Sequence, residues 1–350
     1  MKIALLTDTH FGARNDSLIF NDFFKKFYED IFFPTLKERK IKKIIHLGDV
    51  VDRRKFINYK TLNSMKEILF TPLEEMGCDM EIIVGNLDIY YKNTLSVNSM
   101  TELTKGMPRI SVHDKPTEVS LGKHKAVFLP WICADNEDET KTLIEKTRAP
   151  VAFGHLQIEG IEQHRGSFAI DGHSRSIFKA FQRVFSGHFH HRSTTGNITY
   201  LGNPYEITWS DYNDKRGFHI YDTETMEVEF IENPYSMFHK IYYNDEKMDY
   251  GDLSKYENCY VKIIIEKRQN SYMFEALMDK LLDAGVGHIS VIDNMFDIED
   301  LGDDIESMED VEDTMSVIIN CVEGLQIPNK DKLNKLMQDL YGEALMIETV

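Results

Sequence analysis

Five of the short apolar runs in the first 200 residues end in side chains that can bind a metal ion. These side chains are Asp8 and His10 after the first run, Asp49 after the second, Asn86 after the third, His155 after the fourth, and His188 and His190 after the fifth. Each signal is weak by itself, because Asp, Asn and Gly are ordinary loop residues. In α/β sheets, however, ligands collect outside the carboxyl ends of the strands. Five such ends in one chain therefore predict one shared site.

The side-chain types in this set indicate a pair of metal ions. We expect one ion at Asp8, His10 and His190, a second at Asn86, His155 and His188, and a bridge between them at Asp49. Oxygen and imidazole ligands favour Mn²⁺, Fe²⁺ or Zn²⁺ over Ca²⁺ and Mg²⁺, and the lack of a thiolate argues against structural zinc. Two ions about 3.5–4 Å apart lower the pKa of a bound water and orient a phosphate. The predicted chemistry is hydrolysis of a phosphoester.

The elements that must position these side chains follow an α/β pattern. Residues 3–7, 43–47 and 82–84 are apolar runs typical of buried strands. Between them, an amphipathic segment around Phe27 and the stretch 59–76 have helical spacing. The alternation of strand and helix predicts a sheet whose strand ends lie at one edge. Further strands are expected at 126–129, 151–153 and 184–186.

The net charge of −18 is distributed unevenly along the chain. Residues 1–200 carry 28 Lys and Arg against 25 Asp and Glu, a net charge of +3, whereas residues 201–350 carry 12 against 33, a net charge of −21. The N-terminal part can therefore approach phosphates, and the shift indicates a domain boundary. The four cysteines are scattered, which fits a reducing compartment. No apolar segment approaches the ~20 residues of a membrane span, and the first apolar run is too short for a signal peptide, so we expect a soluble, cytoplasmic protein.

The C-terminal third has a different design. Residues 258–266 predict a strand, 272–282 a helix and 288–292 another strand, which together make a small βαβ unit. The acidic stretch 293–313 has little apolar periodicity and is typical of a solvated linker.

Two amphipathic stretches close the chain, at 311–322 and 333–346, with Pro328 between them. They predict a pair of helices. Such a pair either packs within its own domain or binds a partner, and its position after an acidic linker favours the partner.

The order of the motifs resembles the signature of the calcineurin-type metallophosphoesterases: Asp8-x-His10, Gly48-Asp49, Gly85-Asn86-x-Asp88, Gly154-His155 and Gly187-His188-x-His190. Other segments resemble the SbcD or meiotic-recombination-11 nuclease family, and within it the recombination exonuclease subunits of T-even phages: Tyr91-Lys92-Asn93, Thr101-Glu102-Leu103, Leu129-Pro130-Trp131, Tyr200-Leu201-Gly202 and Arg216-Gly217-Phe218. The resemblance is specific over residues 1–235 and extends to the remainder by layout only.

This resemblance implies the fold class and the domains. The implied fold is α/β, a metallophosphoesterase β-sandwich flanked by helices, with a small α/β cap domain and a C-terminal helical hairpin. The implied domains are a nuclease domain at 1–235, a DNA-capping α/β domain at 236–294, an acidic linker at 295–310 and a helix-loop-helix at 311–350 that binds an ATPase partner.

The resemblance also implies an activity and partners. It implies a metal-dependent DNA exonuclease or endonuclease with two Mn²⁺ ions, Mg²⁺, Fe²⁺ and Zn²⁺ being less favoured, that acts on double-stranded DNA ends in recombination and repair. The implied partner is an SbcC-like ABC ATPase with a coiled coil, bound through the C-terminal hairpin, and ATP enters only through that subunit. The implied assembly is a homodimer within a heterotetramer, without a membrane, in the cytoplasm of the host cell.

Leu87 departs from the family pattern, which has histidine between the Asn and Asp of the third motif. In the family that histidine is assigned to transition-state stabilisation or to protonation of the leaving oxygen. Leucine carries neither a proton nor a charge, and loss of a general acid costs about 10²–10⁴-fold in rate. Because all the candidate metal ligands are present, we expect metal and DNA binding with impaired cleavage.

Three explanations of Leu87 stay open at this point. The first is an introduced, inactivating substitution, and the second is a natural variant that uses another acid, such as His113, His164 or His173. The third is a naturally inactive subunit that holds DNA. At the level of function, the alternatives to a nuclease are a catalytically silent scaffold that binds DNA ends, and a small-substrate phosphodiesterase or phosphatase of the same fold.

Overall fold

The computed structural model describes residues 1–246, 250–293, 330, 332, 333 and 335–337. Its strands are β1 Lys2–Leu6, β2 Lys43–His46, β3 Asp79–Ile83, β4 Ile110–His113, β5 Thr117–Leu121, β6 His124–Leu129, β7 Val151–His155, β8 Glu162–His164, β9 Ser167–Phe168, β10 Arg183–Gly187, β11 Ser193–Thr195, β12 Ile198–Tyr200, β13 Gly217–Asp222, β14 Glu227–Glu232, β15 Phe238–Asn244, β16 Tyr260–Lys267 and β17 His288–Asp293. Its main helical segments are Leu18–Phe27, Tyr28–Phe32, Phe33–Glu38, Tyr59–Met65, Lys66–Phe70, Thr71–Glu75, Ser99–Leu103, Glu137–Lys146 and Ser271–Asp283.

Two six-stranded sheets form the centre of the fold. The first has the order β14-β13-β1-β2-β3-β4, in which β1 to β4 run parallel and β13 lies antiparallel to β1. The second has the order β11-β12-β10-β7-β6-β5, in which β6, β7, β10 and β12 run parallel. In the first sheet the antiparallel strands lie at one edge and the parallel strand β4 forms the other, whereas in the second sheet both edge strands, β11 and β5, are antiparallel to their neighbours.

A continuous apolar core joins the facing sides of the two sheets. Its largest contributions come from aromatic and branched side chains of both sheets, among them Ile3, Leu5, Ile45, Ile83, Phe128, Phe153, Phe185 and Tyr221. Phe153 packs within 5.4 Å of Phe185 and of Tyr221, measured between ring centroids. Because the central strands are covered on both faces, their sequences are nearly continuous apolar runs rather than alternating ones.

Helical segments cover the outer faces of the sheets. On one side, Phe24 stacks on Tyr205 with ring centroids 3.8 Å apart, and Phe32 meets Phe218 at 4.9 Å. On the other side, Ile144 from the segment Glu137–Lys146 joins a second apolar cluster that includes Val184. The fold class predicted from the sequence, an α/β sandwich of two sheets flanked by helices, is confirmed.

A smaller layer follows the two sheets in the chain. β15, β16 and β17 form a three-stranded sheet on which the helix Ser271–Asp283 packs through Phe274, Leu277 and Leu281. The predicted strand-helix-strand order is present with boundaries shifted by up to two residues. The sequence does not predict β15, because its segment Phe238–Asn244 mixes Lys and His with apolar residues. The proposed domain limit at 235/236 stays a prediction, since residues Met1–Ile207 and Asp211–Val291 form one compact unit.

The predicted acidic linker at 295–310 and the first predicted helix at 311–322 lie outside the described residues. Of the second predicted helix, Leu333 and Lys335 to Met337 are described, and they are helical. Within the described part of the chain, no helix combines the length and apolarity that crossing a membrane requires.

Candidate metal centre

The carboxyl ends of five strands bring all seven candidate ligands into one place. β1, β2 and β3 are neighbours in the first sheet, and β7 and β10 are neighbours in the second. Six of the seven side chains lie in two groups, within each of which the ligand atoms are no more than 4.8 Å apart: Asp8, His10 and His190 in one, Asp49, His155 and His188 in the other. Asn86 contacts the second group. The arrangement is the one that the strand-end pattern predicts.

The first group is built around two imidazoles that face each other. His10 Nε2 lies 3.0 Å from His190 Nε2 and 4.0 Å from Asp8 Oδ1. On the far side of the ring, His10 Nδ1 lies 3.4 Å from Asp52 Oδ1. A carboxylate in that position favours a proton on Nδ1, which leaves Nε2 as the nitrogen that can bind a metal.

The second group is centred on the Asn86 amide oxygen, which lies 2.9 Å from both His155 Nε2 and His188 Nδ1. His155 Nε2 is also 3.3 Å from Asp49 Oδ2. The other ring nitrogen, His155 Nδ1, donates to the backbone carbonyl of Leu47 at 2.8 Å. That bond fixes the ring orientation and directs Nε2 toward Asn86 and Asp49.

Four of the seven candidates have left-handed backbone angles, with φ of 50° at Asp8, 42° at His10, 53° at Asp49 and 87° at His188. Such angles are uncommon outside glycine, cost on the order of 1–3 kcal/mol each, and cluster at functional sites. Hydrogen bonds between the loops hold them. Asp8 N donates to the carbonyl of Gly48 at 3.0 Å, and His188 N donates to both carboxylate oxygens of Asp8 at 3.1 Å.

Gly85 allows the loop after β3 to approach the loop after β2. A Cβ atom at this position would lie 2.2 Å from Asp49 Oδ1 and 2.4 Å from the backbone nitrogen of Asp49. No side chain fits there, so the glycine of the third motif is required by the close approach. It lets Asn86 and Asp49 share one edge of the site.

The centre combines buried acids and buried imidazoles. Burial raises the pKa of Asp8. Burial opposes the charged form of His10 and His155, yet nearby carboxylates outweigh it: Asp52 and Asp49 raise the pKa of His10 to about 10, and Asp49 raises that of His155 to about 9. Burial lowers the pKa of His188 and of His190 to about 3. Burial and neighbouring carboxylates thus shift the pKa values of these five groups away from their ordinary values, in opposite directions for different imidazoles.

The donor set fits a pair of divalent ions. It offers two carboxylates, one amide oxygen and four imidazole nitrogens. Asp49 belongs to the second group, but its charge also raises the pKa of His10 and of Asp8 in the first. Asp8, Asp49 and His155 are almost wholly buried, whereas Asn86, His188 and His190 are half-buried. Asn86, His188 and His190 therefore keep part of their surface in contact with solvent.

Leu87 lies at this centre, but only its backbone takes part in the hydrogen bonding. Its N–H donates to Asp49 Oδ1 at 2.8 Å, and the side chain is half-buried. Among the replacement acids considered from the sequence, His113 is engaged with Glu81 at 2.7 Å, and His173 is influenced mainly by burial, which lowers its pKa. His164 belongs to the β8–β9 hairpin.

Two residues near the ligands are not assigned by the sequence. Asp52, which contacts His10, comes three residues after Asp49, and that spacing is the signal that points to it. Trp131 lies with its ring centroid 5.0 Å from that of His188 and 6.1 Å from that of His155. Trp131 follows the end of β6, so its position after a strand could have placed it near the ligands. Its indole ring does not bind metals, and for that reason the search for ligand types does not find it.

This fold and centre define a class of protein. Residues 1–226 match the calcineurin-like phosphoesterase superfamily domain, and the chain belongs to that superfamily. Exonuclease subunit 1 of Enterobacteria phage T4 is 32% identical to it, over 98% of this chain and 99% of that protein. The resemblance to phage nucleases of the SbcD and meiotic-recombination-11 type, predicted from the motifs, is thereby confirmed.

Solved structures with a similar arrangement include a novel archaeal phosphodiesterase, with a TM-score of 0.36 and 14% identity over 67% of this chain and 100% of that one. They also include a dimetal phosphatase from Danio rerio, with a TM-score of 0.36 and 11% identity over 63% of this chain and 91% of that one.

Proposed function

We propose that this chain is the nuclease subunit of a phage SbcCD-like complex, which hydrolyses DNA phosphodiesters at ends with two Mn²⁺ ions, and that Leu87 impairs its cleavage step. The observation that carries the proposal is the Asn86 amide oxygen, 2.9 Å from nitrogens of both His155 and His188, beside a second group of ligands. The similarity to a phage exonuclease subunit favours DNA over a small phosphodiester.

The proposed ligands are the seven side chains predicted from the sequence: Asp8, His10 and His190 for one ion, Asn86, His155 and His188 for the other, and Asp49 between them. When bound, the two ions would lower the pKa of an attacking water and neutralise charge on the phosphate oxygens.

The protein itself supplies orientation. Asp52 and the carbonyl of Leu47 fix the rings of His10 and His155, and the N–H of Leu87 fixes the carboxylate of Asp49. A centre whose donors are preorganised in this way needs little rearrangement as the phosphate reacts. Leu87 places an aliphatic, uncharged side chain where the family has a proton donor. The leaving oxygen would therefore receive no proton from that position.

A cleavage assay tests both parts of the proposal. The protein and its Leu87→His variant would be incubated with linear double-stranded DNA and Mn²⁺, with and without an SbcC-like ATPase subunit. We expect slow cleavage by the native chain and an increase of about 10²–10⁴-fold in the variant, the range for gain of a general acid. Leu87→Gln, which is polar but not a comparable acid, is the matched control.

The other outcomes separate the alternatives. Equal, fast cleavage by both proteins would show that the acid lies elsewhere, as would be expected of a natural variant with another histidine. DNA binding without cleavage by either protein would favour a silent end-binding scaffold, which Leu87 itself supports. Hydrolysis of bis(p-nitrophenyl) phosphate but not DNA would favour a small-substrate phosphodiesterase.

We also propose, on the family resemblance, a homodimer and an ATPase partner bound through residues 311–350. Deleting the residues after Pro328 is expected to abolish pull-down of the ATPase subunit while leaving Mn²⁺ binding intact. Unchanged pull-down would contradict this assignment, and light scattering of the full chain tests the dimer.

A further inference from the structure

Arg216 belongs to a buried polar network whose side chains are not among the proposed metal ligands. Its side chain is 4% exposed, and its Nη2 lies 3.0 Å from Asp211 and 2.8 Å from Asp214. A buried guanidinium needs such carboxylate partners, because an uncompensated charge in the interior is strongly unfavourable. Charge balance alone, however, accounts only for this nitrogen.

The second terminal nitrogen of the same guanidinium contacts the backbone of a candidate ligand. Arg216 Nη1 donates to the backbone carbonyl of His190 and to the side-chain oxygen of Asn203. The backbone N–H of Asn203 donates to the same His190 carbonyl at 3.3 Å. The carbonyl of a candidate ligand is therefore held from two directions by groups outside the ligand set.

The turn before Asn203 is shaped around this contact. Gly202 has a φ of 71°, and a Cβ atom there would lie 2.7 Å from the His190 carbonyl oxygen. Asp214 extends the network by one residue, since it also contacts Nδ1 of His191 at 2.7 Å. Two segments singled out in the sequence, Tyr200-Leu201-Gly202 and Arg216-Gly217-Phe218, thus converge on the backbone of the His190 loop.

We propose that Arg216 is a positioning residue for the first metal ion, acting through the backbone of His190. Holding the His190 carbonyl fixes the backbone from which the ring projects toward His10, with the two Nε2 atoms 3.0 Å apart. The second ligand group has its own support from outside the ligand set, because the Leu47 carbonyl holds the ring of His155. Loss of Arg216 therefore affects one ion and spares the other. The inference rests on the proposed two-metal function.

Arg216→Lys is the informative substitution. Lysine keeps a cation for Asp211 and Asp214 but lacks the planar fork that reaches the His190 carbonyl at the same time. Titration of the metal-free protein with Mn²⁺ by calorimetry, with bound ions counted by electron paramagnetic resonance, is expected to show one site weakened by about 10–100-fold, the usual effect of losing such a support. The other site stays within about twofold of the native affinity.

Reference variants identify which ion is lost. His190→Ala should remove the first site, and Arg216→Lys should weaken that same site. Arg39→Lys is the matched control, because Arg39 also holds a carboxylate with both terminal nitrogens, at 2.9 Å from Glu229, on the protein surface. It should bind both ions as the native chain does.

A purely structural role would lower the melting temperature of Arg216→Lys and leave both Mn²⁺ affinities unchanged, and that result would overturn the inference. If Arg216→Lys does not fold, the triple variant Arg216→Met, Asp211→Asn, Asp214→Asn removes the cation together with its counter-charges, and selective loss of one ion is again expected. Native protein that binds no Mn²⁺ would instead overturn the proposed metal centre.

Discussion

The carboxylate of Asp88 accepts a hydrogen bond from the backbone N–H of Asp49 at 2.9 Å. The same carboxylate accepts the N–H groups of Gly85 at 2.9 Å and Val50 at 3.0 Å. One fully buried acid therefore ties the loop that carries Asp49 to the loop that carries Asn86. The third motif thus joins the two loops through the carboxylate of Asp88, and the side chain of Leu87 takes no part in these hydrogen bonds.

The first prediction concerns Asp88→Asn. The amide replaces one accepting oxygen by an NH₂ group, which leaves at least one buried N–H without its acceptor. We expect the free energy of unfolding to fall by about 1–3 kcal/mol, measured by urea denaturation with metal absent. Asp138→Asn, at an exposed position, should change it by less than about 0.5 kcal/mol. Equal stability of the two variants would contradict the role assigned to Asp88.

The second prediction concerns Asp52→Ala. Without the carboxylate 3.4 Å from His10 Nδ1, the imidazole loses the partner that selects its tautomer and orientation. The affinity for the first Mn²⁺ ion should fall by about 10–100-fold, as measured by calorimetric titration, while Asp52→Asn, which retains an acceptor oxygen, should lose less. If both variants bind as tightly as the native chain, Asp52 does not support His10.

How far the sequence predicts this centre depends on what kind of interaction is involved. The seven candidate ligands follow directly from apolar runs that end in Asp, Asn or His, because strand ends in parallel sheets share an edge. Arg216 and Asp88 act through backbone groups of other loops, so no spacing in the sequence links Arg216 to His190 or Asp88 to Val50. Contacts of this kind depend on tertiary structure.

The same distinction applies to the fold. Buried central strands such as β1 and β7 stand out as continuous apolar runs, whereas β14 alternates exposed and half-buried residues at the sheet edge. The helical stretch expected at 59–76 is present as three consecutive segments from Tyr59 to Glu75. Amphipathic periodicity is strong where one face is buried, and weak at edges where both faces are partly solvated.

The third prediction is that Mn²⁺ stabilises the protein. A cation offsets the mutual repulsion of buried Asp8 and Asp49 and binds only the folded state. At a concentration one hundred times the dissociation constant, each ion should add about 2.7 kcal/mol, seen as a rise in melting temperature that EDTA reverses. Asn86→Leu, which removes the amide oxygen between His155 and His188, should give a smaller rise. No response to Mn²⁺ in the native protein would contradict the metal centre.

The fourth prediction concerns pH and Glu206, whose side chain is 2% exposed. Burial raises the pKa of this carboxyl from 4.5 to about 7, against the opposing effect of hydrogen bonds from the N–H groups of Phe238 and Met237, at 2.9 and 2.6 Å. Asp211 raises the pKa further and Arg216 lowers it. The pKa of Glu206 is higher in the folded chain than in the unfolded chain. Its protonated form therefore makes its full contribution to the free energy of unfolding below about pH 4.5, and this contribution is lost as the pH rises through about 7.

Comparison with Glu206→Gln isolates this group from the other titrating residues. The glutamine keeps an oxygen that accepts both N–H groups and cannot ionise. Between pH 5.5 and 8 the native chain should lose about 2 kcal/mol of unfolding free energy relative to the variant, measured by urea denaturation at fixed Mn²⁺ and ionic strength. Parallel pH profiles of the two proteins would show that Glu206 titrates as it does in the unfolded chain. A steeper loss in the variant would reverse the sign, and would mean that the two N–H groups stabilise the carboxylate more than burial destabilises it.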